Sequence, residues 1–127
     1  MLSWTDGGDL DLHLVGDDGE RVNYLALGCL DASPWMQLEC DERHPGTERG
    51  AIARQRRGRC AVQVHLYDGE APSPGAATVE VSLGRNRRTF TAHSEAWPVW
   101  NVCTIDLEAG GIETDELPDR VANPAGT

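Results

Sequence analysis

The sequence predicts an all-β fold: an antiparallel two-sheet sandwich, jelly-roll-like, of seven to eight strands. Three observations predict it. Apolar residues recur with a period of two in several short segments. No segment keeps a helical period over about ten residues. Gly 14 and Pro 7 punctuate the chain, and the turn signals fall at spacings of roughly eight to twelve residues, as in sandwiches and barrels. A chain of 127 residues suits one domain. It can bury a core without metal or disulfide staples.

The elements follow in order. Leu10, Leu12 and Leu14 fall on one face of a strand over 10–15, and Asp9, Asp11 and His13 on the other. Asp17-Asp18-Gly19-Glu20 is a hairpin turn, because Asp-Gly suits positive φ. Residues 21–27 form the return strand, and 28–34 are turn-like. Met36, Leu38 and Cys40 share a face of a short strand. Residues 41–50 are irregular, and 51–57 hold a strand or connector around Ile52. Over 60–67, Cys60, Val62, Val64 and Leu66 point inward. Val79, Val81 and Leu83 do the same over 77–83. Residues 84–88 make a hairpin loop, 88–92 pair back through Phe90, and 100–107 form the last strand, with Ile105 inward. The domain is expected over 1–112, with 113–127 an acidic, flexible tail.

Charge excludes some partners. Asp plus Glu is 21 against 11 Lys plus Arg, a net charge of −10, and every basic residue is Arg. Nucleic acid is not an expected partner, because phosphate contacts need a net basic face. No apolar run approaches the roughly 18 residues of a membrane span. Residues 1–48 carry eleven acids against Arg21 and Arg43. Arg49, Arg54, Arg56, Arg57 and Arg59 follow, and Arg54, Arg56 and Arg57 form a patch able to meet an acidic partner.

Cysteines stand at 29, 40, 60 and 103. None has the C-x-x-C spacing of a zinc or redox site, and four cysteines allow three pairings. No basic-then-apolar opening marks a signal peptide. The default is therefore a cytoplasmic protein with reduced thiols packed as small apolar residues.

Asp9 and Asp11 project from one strand face about 7 Å apart, by two strand rises. They repel unless a cation lies between them. A hard cation with six to eight oxygen ligands, Ca²⁺, is the natural resident. Asp41 and Glu48 supply further oxygens. The spacing is not that of an EF-hand.

The opening Leu2-Ser3-Trp4-Thr5-Asp6-Gly7-Gly8-Asp9-Leu10-Asp11-Leu12-His13, with Asp18-Gly19-Glu20 and Tyr24, resembles a family of bacterial β-sandwich domains of unknown function of the YfaP type. Those domains are similar in outline to the pre-peptidase C-terminal domains of secreted proteases. The likeness continues through Leu38-Glu39-Cys40-Asp41, Gly46-Thr47-Glu48, Gly58 to Tyr67, and Trp100 to Asp106, covering about residues 2–112. It implies a two-sheet sandwich with Ca²⁺ near Asp9, Asp11, Asp41 and Glu48. Glu39 stands where the family has Asp, and Cys60 where it has Tyr.

Trp35 follows Pro34 and Trp97 precedes Pro98, so both are placed in turns as partner anchors. Trp4 and Trp100 are assigned to the core. His13 and His65 fall on outer strand faces, and His93-Ser94 lacks a nucleophile elbow. The functional expectation is a non-enzymatic binding or assembly module, Ca²⁺-stabilised, acting as a subunit or surface component of a larger complex with a protein partner. A carbohydrate-binding module using Trp35 or Trp97 is the first alternative, and a small Cys/His hydrolase the second.

Overall fold

The computed structural model describes residues 1–39 and 46–114. Among these there is no helix and there are twelve strands. They are β1 (Leu2–Trp4), β2 (Asp9–Gly16), β3 (Arg21–Val22), β4 (Gly28–Cys29), β5 (Met36–Leu38), β6 (Thr47–Glu48), β7 (Gly50–Ile52), β8 (Arg59–Asp68), β9 (Ala77–Leu83), β10 (Asn86–Thr91), β11 (Val99–Asp106) and β12 (Gly111–Thr114). The all-β class is as the sequence predicts, but the count exceeds seven or eight. The extra strands β1, β4, β6 and β12 have two to four residues each, too few for alternation to reveal. β12 also runs two residues past the expected domain end at 112.

Three antiparallel sheets form, in the orders β10-β9-β1-β6, β12-β11-β8-β2-β3 and β4-β5-β7. One residue, Arg49, separates β6 from β7, so the first and third sheets run into each other along the chain. Their apolar side chains and those of the five-stranded sheet form one cluster. Leu2, Trp4, Val79 and Val81 come from the first sheet, and Met36 and Leu38 from the third. Leu10, Leu12, Leu14, Val62, Val64, Trp100 and Ile105 come from the five-stranded sheet. Leu66 is half-buried against this cluster rather than inside it. Cys60 and Cys103 are fully buried, and no disulfide joins the described cysteines. Cys40 lies outside the described residues.

The return strand expected over 21–27 stops at Val22. The Asn23 carboxamide oxygen accepts the amides of Leu25 and Ala26, while Asn23 and Ala26 exchange backbone hydrogen bonds. Asn folds its own backbone into a turn in this way. The strand therefore ends in a tight tip that carries Tyr24 and Leu25 outward.

Candidate functional site: the outer face of the five-stranded sheet

β2, β8 and β11 lie side by side in a register that sets Asp11 against His65 and His65 against Val99. The next row sets His13 against Gln63 and Gln63 against Asn101. Directly opposed residues share a sheet face, and here it is the face turned away from Leu12, Val62 and Val64. Sequence reading placed His13 and Asp11 on an open strand face. They are instead buried, at 7% and 5% exposure. Neighbouring side chains cover them. The His13 and His65 rings stack with centroids 3.7 Å apart and planes 9° from parallel. Arg21 reaches over from β3 to His13 Nδ1 at 2.9 Å and to Gln63 Oε1 at 3.3 Å.

The proton positions follow from the donors. A guanidinium only donates, so His13 Nδ1 accepts and its proton sits on Nε2. His65 Nε2 donates to Gln63 Oε1 at 3.0 Å, and Gln63 Nε2 donates to Asn101 Oδ1 at 3.0 Å. The Arg21 link needs a neutral His13, because a protonated Nδ1 could not accept. Burial, then His65, then Arg21 push the His13 pKa down to about 4. Burial and Arg21 lower that of His65. Both rings are uncharged at neutral pH, since a second ring proton would face a cation.

Next to this network lies an apolar, aromatic patch. Tyr24 and Tyr67 meet edge to face at 5.4 Å. The Tyr24 phenol is held above its ordinary pKa first by its hydrogen bond to Tyr67, then by partial burial, by Tyr67's own charge, and by the carboxylates of Asp11 and Asp9. The register sets both acids on β2 alongside this end of β8, Asp11 opposite His65 and Asp9 opposite Asp68. Six large apolar side chains are exposed among the described residues, and Tyr24 (38%), Leu25 (77%), Tyr67 (61%) and Val99 (41%) are four of them. Tyr67 is two residues along β8 from His65, whose cross-strand neighbour is Val99. Asp9 pairs in register with Asp68, so acids flank the patch.

The residues expected to hold Ca²⁺ are only partly together. Asp9 and Asp11 share the outer face. Glu48 comes from β6, and its Oε1 accepts the Leu12 amide at 2.9 Å, clipping β6 to the edge of β2. Asp41 lies outside the described residues. Among the described residues no group of three or more His, Cys, Asp or Glu side chains is placed to hold a metal ion.

The expected partner anchors are dispersed. Trp35 is half-buried. Trp97 packs on the core and meets Trp100 edge to face at 6.0 Å, so neither tryptophan stands clear as an anchor. Arg54 and Arg57 are exposed, but Arg56 is 6% exposed and turned inward. Its guanidinium holds Asp18 and Glu20 at 2.7 Å each and the Pro34 carbonyl at 3.0 Å. Arg56 is a clamp between two turns and is withdrawn from any partner surface. The Cys60 thiol faces the core, and burial pushes it up to about 11. The stacked histidines lie on the opposite face of the same sheet, so no Cys60–His pair forms.

Sequence reading missed Arg21, Gln63, Asn101, Tyr24 and Tyr67 as site residues. The available signal was polar residues on the outer faces of strands whose inner faces are apolar. Only the pairing of β2 with β8 and β11 shows that these residues meet.

No protein-family profile, curated protein or solved structure matches this chain. The site geometry alone therefore bears on function.

Proposed function

We propose that the protein is a non-enzymatic binding module, a subunit or surface component of a larger assembly. Its recognition face is the outer face of the five-stranded sheet. One observation supports this: Tyr24, Leu25, Tyr67 and Val99 gather as an exposed apolar patch with acids on its margin. Exposed apolar clusters rimmed by polar groups mark protein interaction sites. Tyrosines are favoured anchors, because a rigid ring buries much area at small entropic loss. The His13–His65–Gln63–Arg21 network beneath makes the platform stiff, so little further ordering opposes binding. Asp9 and Asp68, both exposed, in a chain of net charge −10, select a basic partner and speed its encounter.

The test is selection of binders from a displayed peptide library on the intact protein, followed by titration against Tyr67→Ala and Val99→Ser, with a glycan array alongside. The expected binders carry Arg or Lys, weaken at least tenfold on Tyr67→Ala, and weaken with salt. Binders indifferent to both variants would overturn the assignment of this face. Glycan binding that needs Tyr67 would replace the protein partner by a carbohydrate.

A further inference from the structure

An irregularity at the end of β8 shapes one corner of the tyrosine face. Leu10 pairs with Leu66, and Asp9 with Asp68, so β8 holds one residue more than β2 here, Tyr67. A bulge of this kind re-aims side chains. In strict alternation Tyr67 and Asp68 would leave by opposite faces of the sheet. Asp68 instead opposes Asp9, and Tyr67, Asp68 and Asp9 are all exposed. Glycines draw the two strands together at this point. The Gly8 amide donates to the Glu70 carbonyl at 2.7 Å, and a Cβ on Gly8 would collide with the Asp68 carbonyl. Like charges directly opposed across a sheet repel, and an arriving cation relieves that repulsion.

The second wall of the corner comes from the tip after β3. The Tyr24 ring meets that of Tyr67 edge to face, with centroids 5.4 Å apart and planes 68° from parallel. The Tyr24 phenol is hydrogen-bonded to Tyr67, which pins the two rings before any ligand arrives. A ring face attracts a cation through its quadrupole, and two faces at a steep angle make two such walls.

The chemistry of the walls selects among cations. A hard metal ion needs six or more oxygens, and aromatic faces supply none. An ammonium is a compact, strongly hydrated point charge, and a ring face offers no acceptor for its three N–H groups. A guanidinium is planar and weakly hydrated. It stacks on an aromatic face while its edge donates to carboxylates in a fork. Ring faces beside two exposed carboxylates match that shape on both counts.

We propose that the Tyr24–Tyr67 corner is the seat of one arginine side chain of a protein partner, its guanidinium stacked on Tyr67 and its N–H edge turned to Asp9 and Asp68. This rests on the outer face being the recognition surface, and it restricts the basic partner to one that presents arginine. The exposed Val99 sets the residue beside it. Val99 opposes His65, two residues back along β8 from Tyr67, so it lies roughly 8 Å from Tyr67, two strand rises along and one strand spacing across. In an extended segment the side chain two positions from the arginine falls about 7 Å away on the same side and rests on Val99. The ligand is an Arg-x-aliphatic segment.

The experiment titrates the heptapeptide Ser-Gly-Arg-Ser-Val-Ser-Gly into the intact protein and follows tyrosine-ring and backbone signals by NMR. Saturable shifts are expected at Tyr24, Tyr67, Asp68 and Val99. Lys in place of the peptide's Arg should weaken binding at least fivefold, and citrulline, planar but uncharged, at least tenfold. Tyr67→Leu, which keeps apolar area but removes the ring, should also weaken it at least tenfold, while Tyr67→Phe should retain most of the affinity. Asp68→Asn should weaken binding and flatten its salt dependence. The peptide-side changes keep the test decisive if a variant fails to fold. Equal binding of the Arg, Lys and citrulline peptides, full affinity in Tyr67→Leu, or unmoved tyrosine signals at millimolar peptide would each overturn the seat. Library-selected binders that need Tyr67 yet carry no arginine would overturn the seat and leave the recognition face standing. Binders indifferent to Tyr67 would overturn the face and the seat together.

Discussion

His13 and His65 stack face to face across the β2–β8 pair, with ring centroids 3.7 Å apart. Two protonated imidazoles cannot share that geometry beside Arg21. The stack therefore belongs to the neutral state, and the sheet carries a built-in sensitivity to acid.

The sign follows from linkage. The His13 pKa falls from about 6.5 in the unfolded chain to about 4 in the fold, and that of His65 is also lowered. The unfolded state then binds more protons between these values, so stability falls as pH drops from about 6.5 towards 4 and is complete above that window. At about 1.4 kcal/mol per pKa unit, His13 alone accounts for a loss of a few kcal/mol. Urea midpoints at pH 7, 6 and 5 should fall steadily. His13→Gln should flatten the dependence between pH 7 and 5, where carboxylates contribute little. An equal slope in wild type and His13→Gln would show that the stack does not set the response.

Arg56 makes a second prediction. One buried guanidinium holds Asp18, Glu20 and the Pro34 carbonyl, three acceptors that a single ammonium cannot span. Arg56→Ala should lower stability by about 2 kcal/mol, and Arg56→Lys should recover less than half. The carboxylates are exposed enough to rehydrate, which keeps the loss below that of a fully buried pair. Guanidinium-chloride unfolding of the three proteins measures this. Full recovery by Lys would reduce the clamp to a simple charge contact.

Val64 and Gln63 show what was legible in the sequence. Alternation along β8 correctly put Val64 inward, and it is fully buried. Val64→Asp should unfold the domain, since a buried unpaired carboxylate costs several kcal/mol, about the stability of a small domain. The same alternation put Gln63 outward and suggested an idle surface residue. In fact Gln63 joins Arg21, His65 and Asn101. Gln63→Ala should cost about 1 kcal/mol, because three partners lose a bond at once. Thermal melts of the two variants measure both effects. A period of two assigns faces but not neighbours. Two of the three partners of Gln63, Arg21 and Asn101, come from β3 and β11, and only the sheet order brings them together.

Glu48 provides the last prediction, and it separates two roles for one carboxylate. The sequence, and the resemblance through Gly46-Thr47-Glu48, implied a Ca²⁺ ligand. In the fold, Glu48 Oε1 accepts the Leu12 amide at 2.9 Å, at the part of β2 that β3 does not reach, since β3 pairs only with Leu14 and Val15. Leu12 is buried, so its N–H needs this acceptor. Glu48→Ala should destabilise by about 1–3 kcal/mol, the penalty of an unsatisfied buried amide. Glu48→Gln keeps an oxygen in place and should lose less than half of that. Melting temperatures of the three proteins at fixed ionic strength, with chelator or with millimolar Ca²⁺, decide the matter. A strand clip predicts Gln close to wild type under both conditions, with any shared shift due to screening. A Ca²⁺-dependent rise in wild type that Glu48→Gln abolishes would make this carboxylate an ion ligand, with Asp9 and Asp11 the next positions to test.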